Sequence, residues 1–214
     1  MDYKKLFHKE EAFQRETFQK RMEEFGFKNM ARMELFLWDL ELFLHIQKIL
    51  GDKIILKGGA ATQFYLPRDA QRTSVDIDML FFGTEEEIKK TLRKIEEYLG
   101  TEDELFYFHK HSPKNPKTNL PLHTYYTKVP SVLSNAERNM ERESIPYQEL
   151  KIEFILQPEK WEYERRTGEN IFAVNSSWNY QILPLNYLFA DKLTTLGCNT
   201  IGVQNERLDE QVKQ

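Results

Sequence analysis

Two aspartates, Asp76 and Asp78, stand two residues apart in the run Val75-Asp76-Ile77-Asp78-Met79-Leu80-Phe81-Phe82. The run alternates as a strand, placing Val75, Ile77 and Met79 on one face and both carboxylates, with Leu80, on the other. Their Cα atoms would lie roughly 6.5–7 Å apart, close enough for the two side chains to converge on hard cations. A solvent-facing edge strand that carries charge against aggregation is the plain alternative. Two acids flanked by Leu80, Phe81 and Phe82 suit it less naturally than one would, and metal binding is the preferred reading.

Upstream, Lys53 to Leu56 is a short β-branched run that predicts a buried strand, and Ala60 to Leu66 predicts a helix. Gly58-Gly59 lies between them. Glycine lets a backbone approach a ligand closely, and free N–H groups at a helix start favour a phosphate. Taken alone, a Gly-Gly pair is more simply a turn chosen for its backbone angles. Downstream, Glu153 sits among apolar residues in Leu150-Lys151-Ile152-Glu153-Phe154-Ile155-Leu156, where an unpaired carboxylate is costly and wants a cation. It is the candidate third carboxylate, and pairing with Lys151 on the same strand face is the alternative.

Lys57-Gly58-Gly59-Ala60 followed by Arg72-Thr73-Ser74-Val75-Asp76-Ile77-Asp78 resembles the signature of the DNA polymerase β-like nucleotidyltransferases and, more narrowly, of the AbiEii and MenA-type toxins. The resemblance covers about residues 50–195 and implies an α+β fold: a polymerase β-like core, with a twisted mixed sheet of about five strands and flanking helices. It implies Mg²⁺, with Mn²⁺ as a substitute, at Asp76, Asp78 and Glu153. Lys57, Gly58, Gly59, Arg72 and Ser74 would hold the triphosphate of an NTP. Lys192, in Asn186-Tyr187-Leu188-Phe189-Ala190-Asp191-Lys192-Leu193, resembles the toxins' lysine motif and implies a further phosphate contact. A lysine near a helix C-terminus also complements the helix dipole without any ligand. The implied reaction moves a nucleoside monophosphate to an acceptor hydroxyl on transfer RNA or protein, in a toxin opposed by an antitoxin. A catalytically silent nucleotide- or partner-binding module and a metal-dependent phosphate hydrolase are the other readings.

The remaining sequence must position these groups. Residues 5–25 carry Phe7, Phe13, Phe18 and Met22 at roughly helical spacing and predict an amphipathic helix, and Met30 to Leu50 predicts a second, more apolar one ended by Gly51-Asp52. Thr84 and Glu87 form a capping box for a helix to about Leu99, whose Lys89, Lys90, Arg93 and Lys94 read as a solvated face offset by glutamates. Strands are expected near 104–109, 122–129 and 148–157, then aromatic residues 158–180 packing a subdomain onto the sheet. Leu183-Pro184-Leu185 opens a final helix through Leu196. The resulting division is N-terminal helices over 1–50, a core over 51–160 and a helical part over 161–214. Arg207-Leu208-Asp209 matches a later toxin motif only in part, so a shortened C-terminus is expected.

Net charge of −4 and a pI near 5.8 argue against a generic nucleic-acid binder. Locally the balance reverses. Between Glu104 and Glu137 there is no acid, while Lys110, Lys114, Lys117, Lys128, His109, His111 and His123 alternate with Tyr107, Tyr125 and Tyr126. Such a stretch suits an RNA backbone or a triphosphate, or else a solvated hairpin with a tip at Ser112-Pro113-Lys114-Asn115-Pro116. The single cysteine, Cys198, fits a reducing compartment and small-residue packing. No apolar run reaches membrane-spanning length, so a cytoplasmic location is expected.

Overall fold

The computed structural model describes residues 2–112, 121–138 and 146–194. Its centre is α2 (Met30–Leu50), capped by the Asn29 side chain, which accepts from the Arg32 N–H at 3.0 Å, and ended at Gly51 with φ +60°. Apolar residues recur on all sides of this helix, and such a helix must be enclosed. From Met33 to Ile46 every residue is buried except half-buried Leu35. The helix lies across a seven-stranded mixed sheet, touching β1 (Ile54–Leu56), β2 (Asp76–Phe81), β5 (Tyr147–Leu156) and β7 (Ser176–Ile182).

The sheet order is β3-β4-β5-β2-β1-β7-β6, where β3 is His109–Lys110, β4 is Leu122–Pro130 and β6 is Glu164–Gly168. β2 runs parallel to β5 and β1 parallel to β7, while the other neighbours are antiparallel. Ile77, Met79, Ile152 and Phe154 turn one face of the central strands into the core. A short helix, α3 (Gly58–Gln63), follows β1, and α4 (Glu85–Leu99) packs beside α2 and buries Ile88, Leu92 and Ile95. Its capping box is present, with Thr84 and Glu87 exchanging hydrogen bonds. Among the described residues no helix is long and apolar enough to cross a membrane.

Three expectations change. Residues 5–25 are not one helix. Short 3-10 turns at Tyr3–Lys5 and Glu10–Phe13 precede α1 (Arg15–Phe25), because the Phe7 and His8 N–H groups donate to the Glu41 carboxylate at 2.8 and 3.0 Å instead of to helical carbonyls. The strand expected over 104–109 is reduced to β3, since Asp103, Glu104 and Phe106 all take positive φ, which no strand accommodates. The sheet has seven strands rather than about five, since residues 164–182 contribute β6 and β7 where packing from outside the sheet was expected. After residue 161 only α5 (Leu185–Thr194) is helical among the described residues. The hairpin tip with Lys114 and Lys117, the helix end at Leu196, Cys198 and Arg207-Leu208-Asp209 lie outside the described residues.

Glu41 ties the N-terminal segment to the core. Besides the two backbone N–H groups it contacts His8 Nδ1 at 2.6 Å and His45 Nε2 at 3.0 Å. Burial by itself would raise its pKa, but the hydrogen bonds from His45 and His8, the charge of His8 and the Phe7 N–H outweigh that and hold the carboxyl at about 2, below its ordinary 4.5. A carboxyl depressed by folding stabilises the native state above its unfolded pKa and loses that contribution as pH falls through the folded value. Urea unfolding of the wild type and of Glu41→Gln should therefore differ by about 2–4 kcal/mol near neutral pH, and the gap should close between about pH 4.5 and about pH 2. A pH-independent gap would show that the charge of Glu41 contributes nothing.

Candidate active site

Strand β2 delivers Asp76 and Asp78 to the sheet face away from Ile77 and Met79, each half-buried. The parallel register sets Asp78 opposite Glu153 and Asp76 opposite Lys151 on β5. Neighbouring strands are about 4.8 Å apart, so all four side chains occupy one patch. Glu153 makes the ion pair offered as the alternative in the sequence, its Oε2 lying 2.9 Å from Lys151 Nζ, and its register position is opposite Asp78. Thr124 on β4 donates its hydroxyl to Glu153 Oε1 at 3.1 Å. Burial, then the charge and hydrogen bond of Glu153, raise the Asp78 carboxyl well above the ordinary range, and the Lys57 ammonium only partly opposes them.

The glycines do more than turn the chain. Gly58 has φ +68°, a region that L side chains avoid, and a Cβ there would stand 2.2 Å from Asp78 Oδ2. The carboxylate thus rests against the glycine backbone. A Cβ on Gly59 would lie 2.9 Å from Ser74 Oγ and 3.2 Å from Arg72 Nη2. Lys57 donates its backbone N–H to the Asp78 carbonyl at 2.8 Å, holding the start of α3 against β2. The structure therefore gathers Lys57, Gly58, Gly59, Arg72, Ser74, Asp76, Asp78 and Glu153 at one end of β1 and β2. Lys192 is exposed on α5, and its neighbour Asp191 is the residue that reaches in, pairing with Lys57 Nζ at 2.7 Å.

Among the described residues no three acidic, histidine or cysteine side chains converge as a ready metal cage. Two carboxylates on one strand, with a third held one strand away by Lys151 and Thr124, still fit Mg²⁺. That ion is commonly held by one or two carboxylates together with substrate phosphates rather than by a closed protein cage. The crowding that raises Asp78 is also what a cation would relieve.

The family model described as nucleotidyl transferase AbiEii toxin, type IV TA system, matches residues 42–207, well over half of the chain. The chain belongs to the AbiEii nucleotidyltransferase toxin family. The match takes in the whole of β1 through α5, and so every residue of the patch. No curated protein matches the chain. A crystal structure of JHP933 from Helicobacter pylori is similar with a TM-score of 0.45 and 13% identity, over 92% of this chain and 62% of that one. The chain spans less than two thirds of the length of that protein.

Within this AbiEii-family site, four neighbours escaped the sequence. Gln63 accepts the Arg72 N–H at 2.8 Å and donates to the Gly59 carbonyl at 2.8 Å, so one amide ties the glycine turn to the Arg72 loop. Thr124 and Asp191 orient Glu153 and Lys57. Asp39 of α2 is 1% exposed, and neither carboxyl oxygen has a hydrogen-bond partner. Burial, then the charges of Asp76 and Asp78, push its pKa well up. Only a polar residue in an otherwise apolar helix marks it in sequence, and that pattern also describes Glu34 and Glu41.

Gly58→Ala tests the close approach. The left-handed backbone alone should cost about 1–2 kcal/mol, and the added methyl must displace Asp78. Thermal unfolding should show a lower Tm, and ¹³C-labelled carboxyl spectra should show a shifted Asp78 signal. A variant as stable as the wild type with Asp78 unmoved would show that glycine is not required there.

Proposed function

We propose that this AbiEii-family chain transfers a nucleoside monophosphate from an NTP to an acceptor hydroxyl, on transfer RNA or on a protein, over the face that carries Asp76 and Asp78. One observation carries the reading: Asp78 touches the Gly58 backbone and lies beside Glu153, so a carboxylate centre and a phosphate-type cradle share a single van der Waals contact. A polymerase β-like core would use its adjacent strands in this way.

In the reaction, the acceptor hydroxyl gives up its proton to solvent as its oxygen forms a bond to the α-phosphorus, the α–β phosphoanhydride bond breaks, and pyrophosphate leaves. Mg²⁺, or Mn²⁺ in its place, held by Asp76, Asp78 and Glu153, would lower the pKa of the acceptor hydroxyl and neutralise charge on the leaving group. The chain's own residues position the substrate. The N–H groups of Gly58 and Gly59 and the Ser74 hydroxyl donate to phosphate oxygens. Lys57 and Arg72 add positive charge along the triphosphate, and Lys192 supplies a further cation from α5. Lys57 leaves Asp191 when the stronger anion arrives, and Lys151 holds Glu153 in place until the site fills. As a type IV toxin the chain would inhibit growth in the cytoplasm and be opposed by an antitoxin.

The test is to incubate the protein with each α-labelled NTP, Mg²⁺ and either total transfer RNA or a protein extract. Label should enter one acceptor class and fall by roughly 10²-fold or more in Asp76→Asn and Asp78→Asn, with Tm unchanged or raised, since each substitution removes a crowded charge. Full transfer by either variant would refute the assignment of the two aspartates.

A further inference from the structure

A cavity of about 210 Å³ opens on the sheet face away from the carboxylates, between α4 and the β3–β4 edge. It is lined by Lys89, Leu92, Arg93 and Glu96 of α4, by Tyr107 and Phe108, by Lys110 of β3 and by Tyr125 of β4. Tyr125 pairs in register with Ile152, which is buried in the core. Its neighbour Thr124 points the other way and donates to Glu153. The cavity and the catalytic carboxylates thus lie on opposite faces, and neither is part of the other.

The lining has the parts of a recognition site. Tyr125 is 3% exposed, yet its hydroxyl has no hydrogen-bond partner, which leaves a buried donor that a ligand oxygen would satisfy. Lys89 pairs with Glu85 at 3.1 Å and with Glu86 at 2.9 Å, and Lys110 pairs with Glu85 at 2.6 Å. Those two ammonium groups are held in place and largely neutralised. Arg93 is exposed and makes no ion pair or hydrogen bond among the described residues, so it carries the uncompensated charge. Glu96 accepts the Phe108 N–H through Oε1 at 2.9 Å, leaving its other oxygen to accept again. Tyr107 is 45% exposed at the rim, its ring held edge-on by His109 at 4.5 Å between centroids.

We propose that this cavity binds a ribonucleotide unit. The phosphate takes Arg93 and the Tyr125 hydroxyl, a ribose hydroxyl donates to Glu96, and the base stacks on Tyr107. The volume suits a sugar-phosphate rather than a whole nucleotide, and the base then falls on the exposed ring outside. The same chemistry is offered by a free mononucleotide and by one residue of an RNA strand. The inference goes beyond the transferase reading and does not need it, because the cavity shares no residue with the catalytic face.

The experiment is fluorescence anisotropy of a labelled short oligouridylate, read as binding and not as transfer. Arg93→Gln should weaken binding about tenfold and flatten its salt dependence by about one phosphate contact. Tyr107→Ala should weaken it at least about fivefold, and Tyr125→Phe, which preserves the packed ring, severalfold. Asp76→Asn should bind as the wild type does. The deoxy oligonucleotide should bind more weakly than the ribo form, because it lacks the 2′-hydroxyl for Glu96. Complete displacement of the oligomer by UMP would name the free nucleotide as the ligand, while displacement only by unlabelled oligomer would name the strand. Wild-type binding by both Arg93→Gln and Tyr107→Ala would overturn the proposal. So would loss of binding in Asp76→Asn alone, which would put the RNA across the catalytic face. A failed transfer assay would leave this result untouched.

Discussion

Parallel pairing of β2 with β5 forces Asp78 and Glu153 to face the same way across one strand spacing, and the architecture around them answers the resulting repulsion. Two unit charges about 5 Å apart at an effective dielectric near 20 repel by about 3 kcal/mol, a large fraction of a domain's net stability. Several elements reduce the strain. Lys151 and Thr124 take up Glu153, Lys57 stands near Asp78, and Asp78 itself leans toward its neutral form. Each remedy is partial. The patch is left with a need for positive charge that the described residues do not meet by themselves.

Helix α2 shows how differently one element can treat its buried acids. Glu34 is anchored by the Ser131 hydroxyl, the Val132 N–H and the Gln148 amide, and so fixes the loop after β4. Glu41 is satisfied by the N-terminal segment and stays ionised. Neither carboxyl oxygen of Asp39 has a hydrogen-bond partner among the described residues, and burial pushes its pKa well up. The first two are fasteners that pay for their desolvation with directed hydrogen bonds. Asp39 lacks that compensation, and the charges of Asp76 and Asp78 act on it, so it feels a change of charge at the carboxylate face.

The sheet thus divides labour between its faces. One carries the carboxylates, the glycine turn and the Lys57–Asp191 pair. The other is covered by α2 and α4 except at the β3–β4 edge, where the basic aromatic stretch of the sequence meets Lys89 and Arg93. Those α4 cations read as a solvated face from charge balance alone. Packing turns two of them toward Tyr107 and Tyr125, which no tally of charges along the helix reveals.

Much of the carboxylate face was legible because its signals are local. Alternation over Val75 to Phe82 put both aspartates on one side, Gly58-Gly59 marked the close approach, Thr84 and Glu87 marked a helix start, and the apolar run from Met30 marked the central helix. Each rests on a backbone period or a cap spanning a few residues. What tertiary structure alone decided are the contacts between segments far apart in the chain. Residues 5–13 have helical spacing but give their N–H groups to Glu41, 33 and 34 residues away. The charged run Glu164–Gly168 has no strand signature and becomes β6 because β7 offers it an edge. Asp191 reaches Lys57 across 134 residues, while its neighbour Lys192, which carried the motif, faces outward. Local period determines which face a side chain takes, and only the packed chain determines what stands opposite it.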